Sequence, residues 1–162
     1  MIRVIQEGEF NNLTELFVTA GNALIAAVGG YAGIIFGTFF RSGGKALNNS
    51  KTLTVEGFTN FLSEALEAIQ LRGKAKPGDK TMLDALYPAF KAAQAGKELP
   101  FGQFIHVVAK EAKKGMENTA DIEAETGRAK DFGKNALGYL DPGAITTFLI
   151  IDVMNLFINS IR

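Results

Sequence analysis

The sequence contains no cysteine and only one histidine, His106. The chain therefore has no disulfide, no thiolate metal ligand and no cysteine nucleophile, and one histidine cannot form a multi-histidine metal site within the chain. It also lacks a net charge, since 17 Lys and Arg residues balance 17 Asp and Glu residues. This balance argues against a generic nucleic-acid-binding protein, which is usually basic, and against long-range attraction to an anionic membrane.

The first residues also lack a basic start followed by an apolar segment, so they predict no secretory signal, and we expect a cytoplasmic location. The chain has 162 residues, of which 47% are hydrophobic. This length is close to one ordinary domain of about 150 residues. We therefore expect a single domain over residues 1–162 with a sizeable core.

Apolar residues recur at steps of three and four along most of the chain, and strict alternation never persists. This pattern predicts an all-α fold, an antiparallel bundle or barrel of six or seven helices with short connections. Asn11 or Asn12 is expected to cap the first helix, which the Gly29-Gly30 pair ends, and Thr54 is expected to cap the third. The other predicted helices cover residues 31–47, 80–95, 101–116 and 146–161.

A membrane protein is an alternative, because no charged residue lies between Thr19 and Phe40. This segment is long enough to cross a bilayer, and Gly29, Gly33 and Gly37 have the spacing of packed membrane helices. We favour two buried helices that join at Gly29-Gly30, since a glycine pair is a typical helix break. The glycines then indicate close backbone approach to a neighbour or a ligand.

Glycine-containing junctions precede three predicted helices, at residues 29–33, 72–79 and 141–144. The N-terminus of a helix favours an anion such as phosphate, because its first N–H groups are unpaired. Each junction alone is a weak signal, since glycine between helices is most often a cap. The nearby Lys74, Lys76 and Lys80 either contact phosphate or are simply solvated.

Five further polar residues are candidates for a role in the site or in the fold. Asp79 is expected to cap the following helix, a task that Thr81 shares. Asp84 faces either a polar cleft or the helix surface, and Asp152 is expected at the boundary of an apolar helix. His106 is interpreted as a packed or surface residue rather than a phosphoryl carrier.

Taken in order, the junctions resemble the L subunit of dihydroxyacetone kinases. The most specific stretch is residues 67–86, EAIQLRGKAKPGDKTMLDAL. The Gly127-Arg128-Ala129 segment and residues 138–144, GYLDPGA, resemble the same family, as does the first glycine turn within residues 28–40. The resemblance covers essentially the whole chain.

This resemblance implies a helical barrel that binds an adenine nucleotide, ADP or ATP, with two Mg²⁺ ions at one end. In the bacterial phosphotransferase-type systems, ADP stays on the L subunit and is recharged by a phosphohistidine protein. The phosphoryl group then passes to dihydroxyacetone, which a K-type subunit holds. The implied activity is that of a glycerone kinase-type phosphotransferase, with a K-type partner and no nucleic acid or membrane.

The resemblance also assigns the site residues. It implies that Gly30, Tyr31 and Ala32 lie at the phosphate-side turn and that Gly73 and Met82 form the nucleotide wall. It implies a basic contact at Arg128. The last nucleotide loop consists of Asp141, Pro142 and Gly143.

The sequence departs from the family on the metal and phosphate side of this site. It has no Gly-Asp-Gly-Asp-His-Gly motif and no aspartate before Asp79, so no Mg²⁺ ligand is assigned. Ala32 stands where the family usually carries a serine. The chain is either an N-terminally incomplete form of the domain or a degenerate paralogue that acts as an interaction or regulatory subunit.

Without the metal carboxylates, we expect the chain alone to be inactive or nearly so. An incomplete bundle exposes apolar surface. We therefore also expect that the chain either oligomerises, for example with a second copy of itself, or is marginally stable.

Overall fold

The computed structural model describes residues 2–124, 130 and 135–161, and within them it contains seven α-helices, short 3₁₀ segments and no strand. The predicted all-α fold is confirmed. The helices are α1 (Ile2–Glu7), α2 (Leu13–Val28), α3 (Gly30–Lys45), α4 (Val55–Gly73), α5 (Leu83–Ala95), α6 (Phe101–Asn118) and α7 (Pro142–Ser160), with the 3₁₀ helix at Thr119–Asp121. Two compact units contain them, Met1–Lys74 and Ala75–Arg162. A single domain over residues 1–162 stays a prediction.

In the first unit, side chains next to α2 determine where this helix begins. The Asn12 side chain accepts a hydrogen bond from the Glu15 N–H at 2.9 Å, and the Glu15 carboxylate accepts one from the Asn11 N–H at 3.0 Å. This reciprocal capping satisfies two N–H groups that the helix leaves unpaired. The bond from the Asn11 backbone is also the main cause that lowers the pKa of Glu15. The predicted cap at Asn11 or Asn12 is thus confirmed.

The Gly29-Gly30 pair separates α2 from α3. Both glycines have a positive φ, 63° at Gly29 and 58° at Gly30, which side chains other than glycine rarely adopt. The uncharged segment from Thr19 to Phe40 is therefore two helices and not one continuous span. This confirms the predicted helix break.

Glycines let α2 and α3 approach closely. A Cβ atom built on Gly21 would lie 2.6 Å from the Gly37 carbonyl oxygen, and one built on Gly37 would lie 2.7 Å from the Gly21 carbonyl oxygen. The close backbone approach predicted from the glycine spacing is thus found at Gly37, against the neighbouring helix. In the same unit, five phenylalanine rings pack against one another, from Phe17, Phe39, Phe40, Phe58 and Phe61.

In the second unit, α5, α6 and α7 surround a common apolar core. Ala85, Met116 and Ala144 contribute one residue each from the three helices and are buried together. Other fully buried side chains of this unit are Leu83, Leu86, Phe104, Ile105, Val108 and Ile151. Packing of three amphipathic or apolar helices therefore positions the N-termini of α5 and α7.

Pro88 lies inside α5, where it has no N–H to donate to the carbonyl oxygen of Asp84, four residues earlier. A Cβ atom on Gly115 of α6 would overlap this carbonyl oxygen and would lie 2.6 Å from the Pro88 side chain. Glycine carries only a hydrogen there, so the two helices can approach this closely. α6 thus crosses α5 at the point that the proline leaves unpaired.

Two predicted helix starts are wrong. α5 begins at Leu83 and not at Lys80, because Lys80 has φ 60°, outside the helical region. α7 begins at Pro142 and not at Thr146, because Asp141 caps it and proline fits the first helical position.

The last helix, α7, exposes part of its apolar surface. Leu149, Val153, Leu156 and Phe157 are 50–62% exposed. Among the described residues, α7 is the helix whose length and composition would let it cross a membrane, although core helices of other proteins meet the same criterion. The segment that the sequence suggested as a span, Thr19 to Phe40, lies elsewhere.

Candidate functional site

The start of α3 offers open backbone N–H groups. No side chain caps this helix at Gly29, and a Cβ atom built on Gly29 or Gly30 would have no neighbour within 4 Å. Gly30, Tyr31 and Ala32 are all exposed. The first turn of this 16-residue helix therefore has unpaired donors and the positive end of the helix dipole directed at accessible space, as an anion requires.

Tyr31 and Gly73 lie together in the first unit, as their shared assignment to one site requires. A Cβ atom on Gly73 would lie 2.6 Å from the Tyr31 hydroxyl oxygen, so the end of the tyrosine side chain occupies the space beside this glycine. Tyr31 is nevertheless 52% exposed. Four predicted site residues are thus close together here: Gly30, Tyr31, Ala32 and Gly73.

A second group of predicted site residues lies at the start of α7 in the second unit. A Cβ atom on Gly143 would lie 3.3 Å from both the Cβ and the backbone nitrogen of Met82, and 2.9 Å from Oδ2 of Asp141. Pro142 is the first residue of α7. Met82, Asp141, Pro142 and Gly143 are therefore adjacent, with Met82 buried beneath Gly143, and a side chain at position 143 would press against Met82 and Asp141.

The carboxylate of Asp141 caps α7. Its Oδ2 accepts a hydrogen bond from the Ala144 N–H at 2.7 Å. Burial raises the pKa of Asp141, repulsion from Asp84 adds to this effect, and the hydrogen bond from Ala144 opposes it. Because a carboxylate already occupies this helix N-terminus, it is a less open anion site than the start of α3.

Two aspartates organise the loop before α5. Asp84 accepts the Gly78 N–H at 2.5 Å through Oδ1 and the Thr81 N–H at 2.7 Å through Oδ2. Asp79 accepts the Lys76 N–H at 2.9 Å, so the prediction that it caps α5 is wrong. The Thr81 hydroxyl accepts the Leu83 N–H at 3.2 Å, which confirms its expected share in the capping. Asp84 is buried and therefore faces the loop rather than the helix surface.

Of the three lysines considered for phosphate, Lys80 is buried and directed into the protein. Its Nζ donates hydrogen bonds to the carbonyl oxygens of Thr119, Ala136 and Tyr139. The interpretation of Lys80 as a phosphate contact or a solvated residue is wrong on both counts. Lys74 and Lys76 are exposed.

The described residues do not assemble a Mg²⁺ site. Among them, no three His, Cys, Asp or Glu side chains come together in a way that would hold a metal ion. Asp84 already uses both carboxylate oxygens to accept backbone N–H groups. Magnesium prefers oxygen ligands in octahedral geometry, so these residues do not by themselves fit the ion. The predicted lack of Mg²⁺ ligands in the whole chain stays a prediction.

Three other residues complete the comparison with the sequence. Arg128, the predicted basic contact, lies outside the described residues. His106 is exposed on α6, which agrees with a surface residue. Asp152 is half-buried and accepts a hydrogen bond from the Asn155 side chain at 3.2 Å, as expected for a boundary position.

Comparison with known proteins identifies the family of this arrangement. Residues 1–155 match the model of the DAK2 domain. The chain is 33% identical over 152 residues to the ADP-binding subunit DhaL of PEP-dependent dihydroxyacetone kinase 1 from Listeria innocua, covering 94% of this chain and 72% of that subunit. It is 30% identical over 138 residues to the corresponding subunit from Escherichia coli, covering 84% of this chain and 66% of that subunit.

A solved structure has the same fold. The dihydroxyacetone kinase of C. freundii superimposes with a TM-score of 0.64 and 27% identity, over 90% of this chain and 24% of the kinase. A second structure of this kinase contains AMP-PNP and Mg²⁺, and it superimposes with a TM-score of 0.62 at 28% identity. The chain thus corresponds to about a quarter of that larger enzyme.

Proposed function

The chain belongs to the DAK2 domain family, and from this membership we propose that it is the ADP-binding, L-type component of a dihydroxyacetone kinase system. The observation that carries the proposal is the similarity to an ADP-binding subunit over 94% of the chain. The open start of α3 and the surface around Gly143 support it, because both fall on residues that the family resemblance assigns to the nucleotide.

We propose a role for each group of residues. The N–H groups of Gly30, Tyr31 and Ala32 would bind phosphate oxygens, and the Tyr31 ring beside Gly73 would shape that end of the site. In the second unit, Met82 and Gly143 are proposed as nucleotide contacts from the family resemblance, and the missing side chain at Gly143 leaves room beside Met82. Arg128 is proposed as a further basic contact from its motif alone.

In the proposed reaction, the nucleotide on this chain passes a phosphoryl group to dihydroxyacetone held by a K-type partner, and a phosphohistidine protein or ATP supplies the next one. Mg²⁺ would neutralise charge on the phosphates when bound. The task of this chain's own residues is to bind and orient the nucleotide. A cytoplasmic location belongs to the same proposal.

We further propose that the chain alone transfers phosphate poorly. The sequence has no aspartate before Asp79, and Ala32 lacks the hydroxyl that the family usually presents at the phosphate-side turn. A non-catalytic interaction or regulatory subunit is the second candidate function, and the change at Ala32 favours it.

Calorimetric titration of ADP into the purified chain, with Mg²⁺ and with EDTA, tests the proposal. We expect binding with a dissociation constant tighter than about 100 μM, near −5.5 kcal/mol, and a strengthening by Mg²⁺ would show that some other carboxylate supplies the metal. Addition of a K-type subunit and dihydroxyacetone then tests phosphoryl transfer. Absence of ADP binding would reject the nucleotide role and leave the regulatory candidate.

The Ala32→Ser variant tests whether the phosphate of ADP lies at the start of α3. If α3 holds a phosphate, the added hydroxyl gives one more donor to an anion, and we expect about tenfold tighter ADP binding, or about 1.4 kcal/mol. Ala27→Ser is the matched control, because Ala27 is also exposed and lies on α2 before the glycine pair. Equal affinity in both variants would show that the phosphate lies elsewhere.

A second copy of the chain is the partner that we propose for the exposed face of α7. Leu149, Val153 and Leu156 follow the four- and three-residue spacing of a two-helix seam, with Phe157 beside it. These four side chains offer roughly 400–500 Å² per chain, so a symmetric pair would bury about 1,000 Å², near the lower limit for a specific interface.

A further inference from the structure

Among the described residues, Lys80 is the only buried lysine, with 2% of its surface exposed. Its Nζ lies 2.6 Å from the carbonyl oxygen of Thr119 and 2.8 Å from those of Ala136 and Tyr139. An ammonium group has three hydrogens, so these carbonyl groups use all of its donors. The side chain therefore has no donor left for a phosphate.

The three acceptors belong to segments that are distant in sequence from Lys80. Thr119 begins the 3₁₀ helix after α6, whereas Ala136 and Tyr139 belong to the loop before α7. The same loop has two further contacts with the 3₁₀ helix: the Asp141 N–H donates to the Thr119 hydroxyl at 2.9 Å, and the Gly138 N–H donates to the Ala120 carbonyl at 2.8 Å. Lys80 adds the start of α5 to this connection.

The backbone around Lys80 is arranged to direct its side chain inward. Lys80 has φ 60°, a left-handed conformation that costs free energy in a residue with a Cβ atom. Asp84 holds the loop on both sides of it by accepting the Gly78 and Thr81 N–H groups. The strained backbone persists because these bonds and those of Nζ fix it together.

We propose that Lys80 is a positioning residue that fixes the loop Ala136–Asp141 against the start of α5, and thereby holds Met82 and Gly143 at the spacing that the nucleotide requires. The second half of this inference rests on the proposed function. Lys80 can influence both residues because Met82 comes two residues after it, and Gly143 comes four residues after Tyr139, one of its acceptors. Without the ammonium group, three carbonyl oxygens would lose their donor and the loop would lose its connection to α5.

Lys80→Met tests the inference by two measurements, hydrogen exchange and ADP affinity. We expect the Gly138 and Asp141 N–H groups to exchange at least tenfold faster in Lys80→Met, and the ADP dissociation constant to rise at least tenfold. Leu86→Ala is the matched control, because Leu86 is fully buried on α5 and its apolar side chain makes no hydrogen bond to the loop. Lys80→Arg, which keeps the charge and several donors, should recover part of the affinity.

The outcomes separate this inference from the proposed function. Unchanged exchange at Gly138 and Asp141 in folded Lys80→Met overturns the inference, and so does a loss of ADP affinity that Leu86→Ala reproduces in full. Absence of ADP binding in the wild type rejects the proposed function, whereas the exchange rates still decide whether Lys80 fixes the loop.

A Thr119→Val variant covers the case in which Lys80→Met does not fold. It removes the hydroxyl that accepts the Asp141 N–H but leaves the ammonium group paired. Lys80 is not the main connection if the Gly138 N–H exchanges faster in Thr119→Val and if Lys80→Arg also fails to recover part of the ADP affinity. Protection of Gly138 that persists in Thr119→Val and in Lys80→Arg supports it.

Discussion

Gly21 on α2 and Gly37 on α3 face each other so closely that a Cβ atom on either would lie within 2.7 Å of the other's carbonyl oxygen. The contact is between backbones, which cannot move aside as a flexible side chain can. The helix pair that carries the open turn at Gly29-Gly30 therefore depends on two residues with no side chain.

Gly37→Ala should destabilise the protein by about 1–3 kcal/mol, because the added methyl group forces α2 and α3 apart. Denaturant unfolding followed by circular dichroism measures the change. Gly57→Ala is the control, since the nearest atoms to its new Cβ would be the Thr54 hydroxyl at 3.2 Å and a Leu47 methyl at 3.5 Å. Equal effects in the two variants would mean that helix propensity, and not helix contact, governs the result.

Tyr31 and Gly73 should show energetic coupling. In Gly73→Ala the new methyl group meets the Tyr31 hydroxyl at 2.6 Å, but the next atoms lie at 3.8 Å or more. In a Tyr31→Phe background the hydroxyl is absent, so the clash is gone and only the higher helix propensity of alanine remains. We therefore expect Gly73→Ala to leave the free energy of unfolding unchanged there, or to raise it by up to about 1 kcal/mol. In the wild-type background it should be less favourable. A double-mutant cycle of thermal unfolding measures the difference, and additive effects would contradict the contact.

The buried carboxyl group of Asp141 should make stability depend on pH. Its folded pKa is raised from 3.8, so the folded state favours the protonated form, and the ionised form costs stability at neutral pH. Asn is also a good N-cap residue, so Asp141→Asn should keep the bond to Ala144 and be at least as stable as the wild type at pH 7. This advantage should shrink as the pH falls through the raised pKa towards 3.8.

Denaturant unfolding at several pH values between 3.5 and 7 measures this advantage. Asp141→Ala serves as the control, because it lacks both the charge and the cap and should therefore be about 1 kcal/mol less stable than Asp141→Asn at every pH. An Asp141→Asn protein that becomes relatively more stable as the pH falls would reverse the predicted sign.

The exposed face of α7 predicts self-association. Leu156→Glu should shift the chain from dimer towards monomer, because a charge would be buried in the seam. Light scattering after size-exclusion chromatography measures the mass. Tyr87→Glu is the control, since Tyr87 is 41% exposed on α5 and lies outside this face. A monomeric wild type would contradict the dimer, and partition of the chain into detergent would favour a membrane instead.

Most of the helical architecture could be predicted because its causes are local. Thr54 accepts the Gly57 N–H at 3.0 Å as its position before an amphipathic segment indicates, and the Gly29-Gly30 break follows from the sequence alone. The short helix Ile2–Glu7 was not predicted, because six residues give too little periodicity. Its sequence contains no capping signal either.

The polar contacts of the candidate site were harder to predict. A capping-box spacing, Thr81 followed by Asp84 three residues later, is a local signal that could have identified Asp84 as a cap. The role of Lys80 has no such signal, because its three acceptors are backbone groups 39–59 residues away. Backbone carbonyl groups are present at every residue, so sequence cannot select these three.

The site assignments themselves came from family resemblance and not from residue patterns. The structure brings Tyr31 near Gly73 and Met82 near Gly143, two pairs that lie 42 and 61 residues apart in sequence. No periodicity connects such positions. Their role in binding a nucleotide stays a prediction that the titrations above decide.

Pro88 and Gly115 have a consequence for how this sequence can evolve. The proline ring and the Asp84 carbonyl oxygen both lie where a Cβ atom of residue 115 would be, so the crossing of α5 and α6 depends on glycine at this position. A larger residue at position 115 would thus be tolerated only if α5 and α6 moved apart. Among homologues, the two positions should covary, with proline at the first accompanied by glycine at the second.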